Sequence, residues 1–225
     1  IIGNNMPAYE VPKGKGTHAQ FGSSIWIGGM DHLGKLHLTA NTYRQTGTDV
    51  WPGPLDTTNI GALSFSSTIM YNTLWKVDCN DINAFTTAFN NGSVYAGTYT
   101  VPADIVNYPA RGINKFQKNL QPYYDANGNG IYSPVTDGDY PIIKGHQQVL
   151  SIFNDSLGKH TETGAPAMGL EIHERSYAYS DPNVPDSMNA INYATFYNYT
   201  IFNRSSETYS NVFISNWSDV DVGYY

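Results

Sequence analysis

The chain has a single cysteine, Cys79, among 225 residues. No intrachain disulfide can form, so a chain working outside the cell must be held by core burial and bound ions instead. Cys79 itself reads as a small buried residue, because a nucleophile needs a partner that no motif supplies. Charge is also scarce. Only 14% of residues are charged, and 12 Lys and Arg against 19 Asp and Glu leave a net charge of −7. The basic residues are dispersed, which argues against a nucleic-acid partner and against an anionic membrane surface. No stretch is apolar enough to cross a bilayer, so no transmembrane segment is expected. Internal repeats and low-complexity tracts are missing too, which argues against a solenoid or propeller.

What is plentiful is tyrosine, glycine and proline, with 18, 21 and 12 of each. That mix favours short strands and turns over helices. The expected fold is all-β: an antiparallel β-sandwich with long ordered loops and one or two short helices, filling residues 1–225 as a single β-rich domain. A hairpin is expected from Phe21–Ile27 and Leu36–Tyr43, followed by a long loop over Thr46–Asn59 pinned by Trp51. Further strands are expected at Thr68–Val77, Gln147–Phe153, Leu170–Tyr179, Asn192–Phe202 and Tyr209–Trp217. The last two are read as a hairpin closed at Asn203–Thr208, buried on both faces. Asp81–Asn90 is the best helix, since Ile82, Phe85, Ala88 and Phe89 share a face and Asn91-Gly92 ends it. Pro102–Asn107 fits one further helical turn.

The stretch Tyr124–Pro141 carries the clearest chemistry. Asp125, Asn127 and Asn129 alternate with small residues, Gly130 permits a sharp bend, and the carbonyl of Ile131 falls in the seventh place of a calcium loop. The twelfth place is Thr136 where a bidentate Glu belongs, so Asp137 or Asp139 must close the site. Pro134 and Pro141 argue against an exiting helix. The expected cofactor is therefore calcium, bound structurally and weakly, on the order of 10⁻⁴ to 10⁻³ M. The competing reading is an Asx-turn loop whose side chains merely cap backbone amides.

Other constellations are weaker. Asp219 and Asp221 put two carboxylates on one face of an extended segment, a candidate second cation site. Glu171, His173 and Arg175 share a strand face, with Glu174 on the other; a solvent-facing stripe closed by a salt bridge is the favoured reading over catalysis. His32 and His37 flank a turn without a third ligand. Tyr9, Trp51 and Tyr108 have ring faces suited to sugars, though packing roles are the expectation for most such residues.

Phe-Gly-Ser-Ser-Ile-Trp-Ile-Gly-Gly-Met-Asp from Phe21, Trp-Pro-Gly-Pro-Leu from Trp51, Asp-Ala-Asn-Gly-Asn-Gly from Asp125, Phe-Asn-Asp at 153–155, Gly-Leu-Glu-Ile at 169–172 and the segment Thr195–Ser205 are specific wording. With them the chain resembles a family of large secreted proteins of Bacteroidota that leave the cell by type IX secretion. The likeness covers nearly the whole chain, lacks the family's C-terminal sorting domain, and implies export and residence outside the cell or on its surface. The chain is accordingly expected to be a piece of a longer secreted polypeptide. An acceptor pattern for Bacteroidota O-glycans, Asp-Ser/Thr before an aliphatic residue, Met or Thr, occurs at Asp56-Thr57-Thr58, Asp155-Ser156-Leu157 and Asp186-Ser187-Met188. About one match would arise from average composition, so Thr57, Ser156 and Ser187 are expected glycosylation sites. The resulting expectation is a non-enzymatic, calcium-stabilised extracellular region for adhesion or assembly, partnered by other extracellular proteins or copies of itself. The alternative is a glycan-binding module, or the recognition part of a polysaccharide-degrading enzyme, with surface glycans as partners.

Overall fold

The computed structural model describes residues 9–11, 14–43, 47–56, 68–111, 119–180, 183 and 190–221. Among them are strands β1 (Tyr9–Glu10), β2 (His18–Met30), β3 (Leu36–Thr39), β4 (Trp51–Pro52), β5 (Trp75–Asp78), β6 (Tyr123–Tyr124), β7 (Tyr140–Pro141), β8 (Gln147–Asn154), β9 (Leu170–Ala178), β10 (Thr195–Asn203) and β11 (Ser210–Val220). The helices are α1 (Cys79–Asn90), α2 (Ala103–Val106) and α3 (Pro134–Asp137). Every strand pairing is antiparallel. The all-β, sandwich-like architecture expected from composition is the one observed.

Two sheets make the body. In the first, β2 pairs with β11 along one side and with β1 and β3 on the other. In the second the order is β10-β9-β8, and β4 and β5 both pair with β8. Strand alternation decides what each face meets. Ile172 of β9, with Phe153, Tyr199 and Ile201, turns toward Ile25 and Ile27 of β2 and forms the core between the sheets. Leu150 and Ile152 of β8 turn the other way, against Val77, Phe85, Ile105 and Tyr108. The second sheet is therefore covered on both faces, which is why the apolar residues of β8, Val149, Leu150, Ile152 and Phe153, fall on both sides of the strand.

Helix α1 keeps the predicted face: Ile82, Phe85 and Ala88 are buried, and Gly92 in the left-handed region (φ 80°) follows its end. The β2–β3 hairpin is also as expected. Other segments differ. The strand expected from Thr68 begins only at Trp75, after a 3₁₀ turn over Ile69–Tyr71. The expected loop 46–59 contributes β4 to the second sheet within its described part, residues 47–56. Cys79 is half-buried at the first residue of α1 rather than buried.

The largest difference concerns β10 and β11, which do not form a hairpin. They lie in different sheets. The turn after β10 is fixed by Asn203, whose Oδ1 accepts the Ser205 N–H at 2.9 Å, and by Arg204, whose N–H donates to the Gly169 carbonyl at 2.8 Å. Gly169 sits at φ 76°, and a Cβ there would meet Ser205 Cβ at 2.7 Å, so only glycine lets the crossing chain lie so close. Carried to the first sheet, β11 pairs among the described residues with β2 alone and is mostly exposed instead of buried.

Candidate functional site

The acidic loop links β6 to β7. Its side chains converge as the spacing predicts. Asp125 accepts the Gly128 and Gly130 N–H groups at 2.9 and 2.7 Å, and Gly128 and Gly130 adopt φ of 72° and 69°. Asn127 and Asn129 accept from the amides two residues on, at 3.0 and 2.6 Å. Asp139 returns to the same loop from its far end: it is fully buried and accepts from Ala126 at 2.9 Å and Ser133 at 2.8 Å. Asp137 accepts from Asn129 Nδ2 at 2.9 Å.

The exit from the loop corrects the sequence reading. A helical turn, α3, does follow, with Pro134 in its first turn where a missing N–H costs nothing, and Gly138 (φ 81°) ends it against the Phe89 ring. The oxygens are thus ordered by their own amides, as in an Asx-turn loop. Each carboxylate or amide oxygen that accepts one N–H keeps a second lone pair, so this ordering and a hard cation are compatible. Among the described residues no three His, Cys, Asp or Glu side chains form a metal-holding group. A cation there would rest on the two Asn side chains and the Ile131 carbonyl as well as on the carboxylates.

A second acidic system, invisible as a motif, lies between the sheets. Asp155 is fully buried, and its two oxygens accept four hydrogen bonds: Leu170 N and Ser156 Oγ at 2.7 and 2.8 Å, Met168 N and Thr39 Oγ1 at 2.6 and 2.7 Å. Thr39 belongs to the first sheet and Leu170 to the second, so one carboxylate bolts them together. Asp49, also fully buried, accepts from the Glu162 and Thr163 amides at 3.1 and 3.3 Å and from Thr163 Oγ1 at 2.7 Å. Between these two acids lies His160, with Nδ1 2.9 Å from the Leu38 carbonyl and Nε2 2.7 Å from the Asp155 carbonyl.

The Glu171, His173 and Arg175 stripe is not solvent-facing, which corrects the expectation. Glu171 and His173 are buried and Arg175 is partly so. Glu171 accepts from His173 Nε2 at 2.9 Å, Arg204 Nη2 at 3.0 Å and Leu55 N at 2.7 Å, and Gln121 Nε2 donates to His173 Nδ1 at 2.9 Å. Burial pushes the Glu171 carboxyl up, but the bonds from His173, Arg204 and Leu55 outweigh it and hold it below its ordinary value. The phrases that carried the family likeness meet here. Asn154 Nδ2 donates to the Gly53 carbonyl at 2.9 Å, so Trp-Pro-Gly-Pro-Leu, Phe-Asn-Asp, Gly-Leu-Glu-Ile and Asn-Arg-Ser form one polar knot.

The remaining predicted residues are placed as follows. Asp219 accepts from the Tyr43 hydroxyl, and both Asp219 and Asp221 push the Tyr43 phenol up, behind the hydrogen bond and burial. His32 and His37 have separate partners, Glu207 at 2.8 Å and Asp31 at 3.1 Å. Ser156 is half-buried and spends its hydroxyl proton on Asp155, so a glycan on its Oγ would cost that bond. Thr57 and Ser187 lie outside the described residues. Tyr108 is buried; Trp51 is half-buried against His160, with ring centroids 6.0 Å apart. No helix of the described residues is long and apolar enough to cross a membrane. No family model, no curated protein and no solved structure matches the chain.

Proposed function

We propose that this chain is a non-enzymatic, calcium-stabilised region of an extracellular or cell-surface protein that assembles with further copies of itself through β11. The observation that carries the reading is that strand. It is 11 residues long, pairs on one side only among the described residues, and leaves Val212, Phe213, Ile214 and Val220 at 48, 76, 59 and 67% exposure. Proteins ordinarily blunt such an edge with Lys, Pro or a short strand. Here, among the described residues, β11 carries no Lys or Pro, and its irregularities lie near its two ends, at Asn211, where φ is 49°, and between Asp219 and Val220.

The outer face of the same sheet adds a shallow apolar trough of about 660 Å³ lined by Trp26, Met30, Leu36, Leu38 and Phe213. An antiparallel pairing of two β11 strands centred on Ser215 sets Phe213 opposite Trp217 in each half and keeps Asp219 away from its own copy. Cross-strand aromatic pairs of this kind contribute about 0.2–1 kcal/mol each, and the trough runs on from one copy to the next. Sedimentation velocity tests this. The wild-type chain is expected to associate as concentration rises, and a Phe213→Lys, Ile214→Lys double variant to remain monomeric with an unchanged melting temperature. A wild type that stays monomeric at high concentration would overturn the reading.

The same proposal places calcium among Asp125, Asn127, Asn129, Ile131, Asp137 and Asp139, with Asp219 and Asp221 as a weaker second pair. When bound, the ion would supply positive charge to three carboxylates in one loop. Type IX export and Bacteroidota-type O-glycans at Thr57, Ser156 and Ser187 belong to this proposal through the likeness of motifs alone. An intact mass equal to the bare polypeptide would dispose of the glycans. Support for a non-catalytic role comes from the buried acids: every oxygen of Asp155 and Glu171 is engaged by groups that hold the fold.

A further inference from the structure

An asparagine followed by glycine is open to deamidation, because the glycine nitrogen can attack the asparagine Cγ with no Cβ in its way. The sequence holds three such pairs, Asn91-Gly92, Asn127-Gly128 and Asn129-Gly130. All three asparagines are exposed. Each is folded as an Asx-turn: Asn91 Oδ1 accepts the Ser93 N–H at 3.0 Å, Asn127 Oδ1 that of Asn129 at 3.0 Å, and Asn129 Oδ1 that of Ile131 at 2.6 Å. The turn lays the side-chain amide over the following peptide bond. Its N–H then points at the oxygen that turns negative when the amide carbon is attacked, so an oxyanion donor is common to all three.

What separates them is the glycine proton. Gly92 donates to the Phe89 carbonyl at 3.1 Å, within the end of α1, and a carbonyl does not take a proton away. Gly128 and Gly130 instead donate to one carboxylate, at 2.9 Å to Oδ1 of Asp125 and at 2.7 Å to its Oδ2. Both lie within the ~2.6–3.2 Å reach that a general base needs. Nucleophile, base and oxyanion donor therefore meet twice in the acidic loop.

We propose that Asn127 and Asn129 are self-modifying positions, deamidated in the folded protein with Asp125 as proton acceptor. The glycine nitrogen bonds to Cγ as its proton passes to Asp125. The Cγ–Nδ2 bond then breaks, the proton goes with the leaving nitrogen, and ammonia departs from a five-membered imide. Water, the only co-reactant, opens the ring at either carbonyl to give aspartate or isoaspartate. Asn129 Nδ2 also donates to Asp137 at 2.9 Å, so Asn127 carries the freer leaving group and reacts first. The aspartate product adds a carboxylate to those of Asp125, Asp137 and Asp139, and ligand charge is what tunes a calcium loop. Deamidation needs no bound ion and so does not depend on the calcium proposed above.

The test is incubation of the calcium-free wild-type chain at neutral pH, followed by tryptic mapping with mass spectrometry. Cleavage after Lys76, Arg111, Lys118 and Lys144 puts Asn91 in one peptide and both loop asparagines in another. A parallel incubation in urea gives each site's rate without the fold, and there the three are expected to convert alike. In the folded chain the loop asparagines should convert at least about tenfold faster than Asn91. They should also outpace their own rate in urea, because mobility brings a site only up to the unfolded rate whereas a placed base exceeds it. Asp125→Ser should bring the folded loop down to its urea rate or below. A folded loop no faster than Asn91, or no faster than in urea, would overturn the proposal, as would an undiminished rate in Asp125→Ser. Calcium is read separately: if it slows the loop, the ion and the base share Asp125, whereas deamidation indifferent to calcium upholds the self-modification and counts against the ion.

Discussion

Removing the Asp155 carboxylate should come close to unfolding the protein. Its four hydrogen bonds run from 2.6 to 2.8 Å inside a fully buried site. In Asp155→Ala the Met168 and Leu170 amides and the Thr39 hydroxyl, itself 1% exposed, lose their acceptor. Three stranded donors at about 1–3 kcal/mol each give roughly 3–9 kcal/mol, and some backbone relaxation puts the expectation near 5 kcal/mol. That is a large part of the ~5–15 kcal/mol available to a typical domain. Asp155→Asn keeps the shape but presents an N–H₂ to two donors, so about 3 kcal/mol is expected from it. Thr39→Val, which removes one donor and leaves the charge, should cost about 1–3 kcal/mol. Urea denaturation read by tryptophan fluorescence measures all three. An Asp155→Asn protein within 1 kcal/mol of wild type would refute the idea that this carboxylate does the work of a cross-link.

The acidic loop and Glu174 give two more expectations. For calcium at 10–100 times its dissociation constant, stabilisation of about 1.4–2.7 kcal/mol is expected, a melting shift of about 3–10 °C at this size. Asp137→Asn, which leaves the amide bonds of Asp125 and Asp139 in place, should reduce the shift, and a melting point indifferent to calcium and chelator would count against the ion. Glu174 should destabilise the fold as pH rises. Below its ordinary 4.5 both folded and unfolded chains hold the proton; above it the unfolded chain releases first, and stability falls until the raised folded carboxyl also ionises. Glu174→Gln should remove that fall, leaving pH 4 stability unaltered and pH 7 stability increased. Glu171, whose carboxyl is lowered, has the opposite slope: its contribution is present above 4.5 and is lost as pH falls through its depressed folded value. Equal pH dependence of wild type and Glu174→Gln would show that Glu174 is not desolvated.

Local patterns were legible and long-range ones were not. The acidic loop could be read because Asp125, Asn127, Asn129 and Gly130 satisfy one another within a few residues, and α1 because Ile82, Phe85 and Ala88 repeat at helical spacing. Glu171 and His173 looked like a wet stripe because alternation tells which residues share a face, not whether that face is covered. Their partners come from Leu55, Gln121 and Arg204, far off in the chain. Asp155 was hidden for the same reason: its acceptors serve residues 39, 168 and 170. The β10–β11 connection was misread because hairpin and crossover loops use the same turn residues. What decides between them is the close seat on Gly169.

The central claim is that the outer side of β11 is a docking edge, and amide hydrogen exchange of that strand tests it most directly. With dilute protein the outward-facing amides between Phe213 and Asp219 should exchange as fast as a loop. On concentration they should become protected, while the amides bonded to β2 stay slow throughout. Outward amides that exchange equally fast at every concentration would contradict the claim.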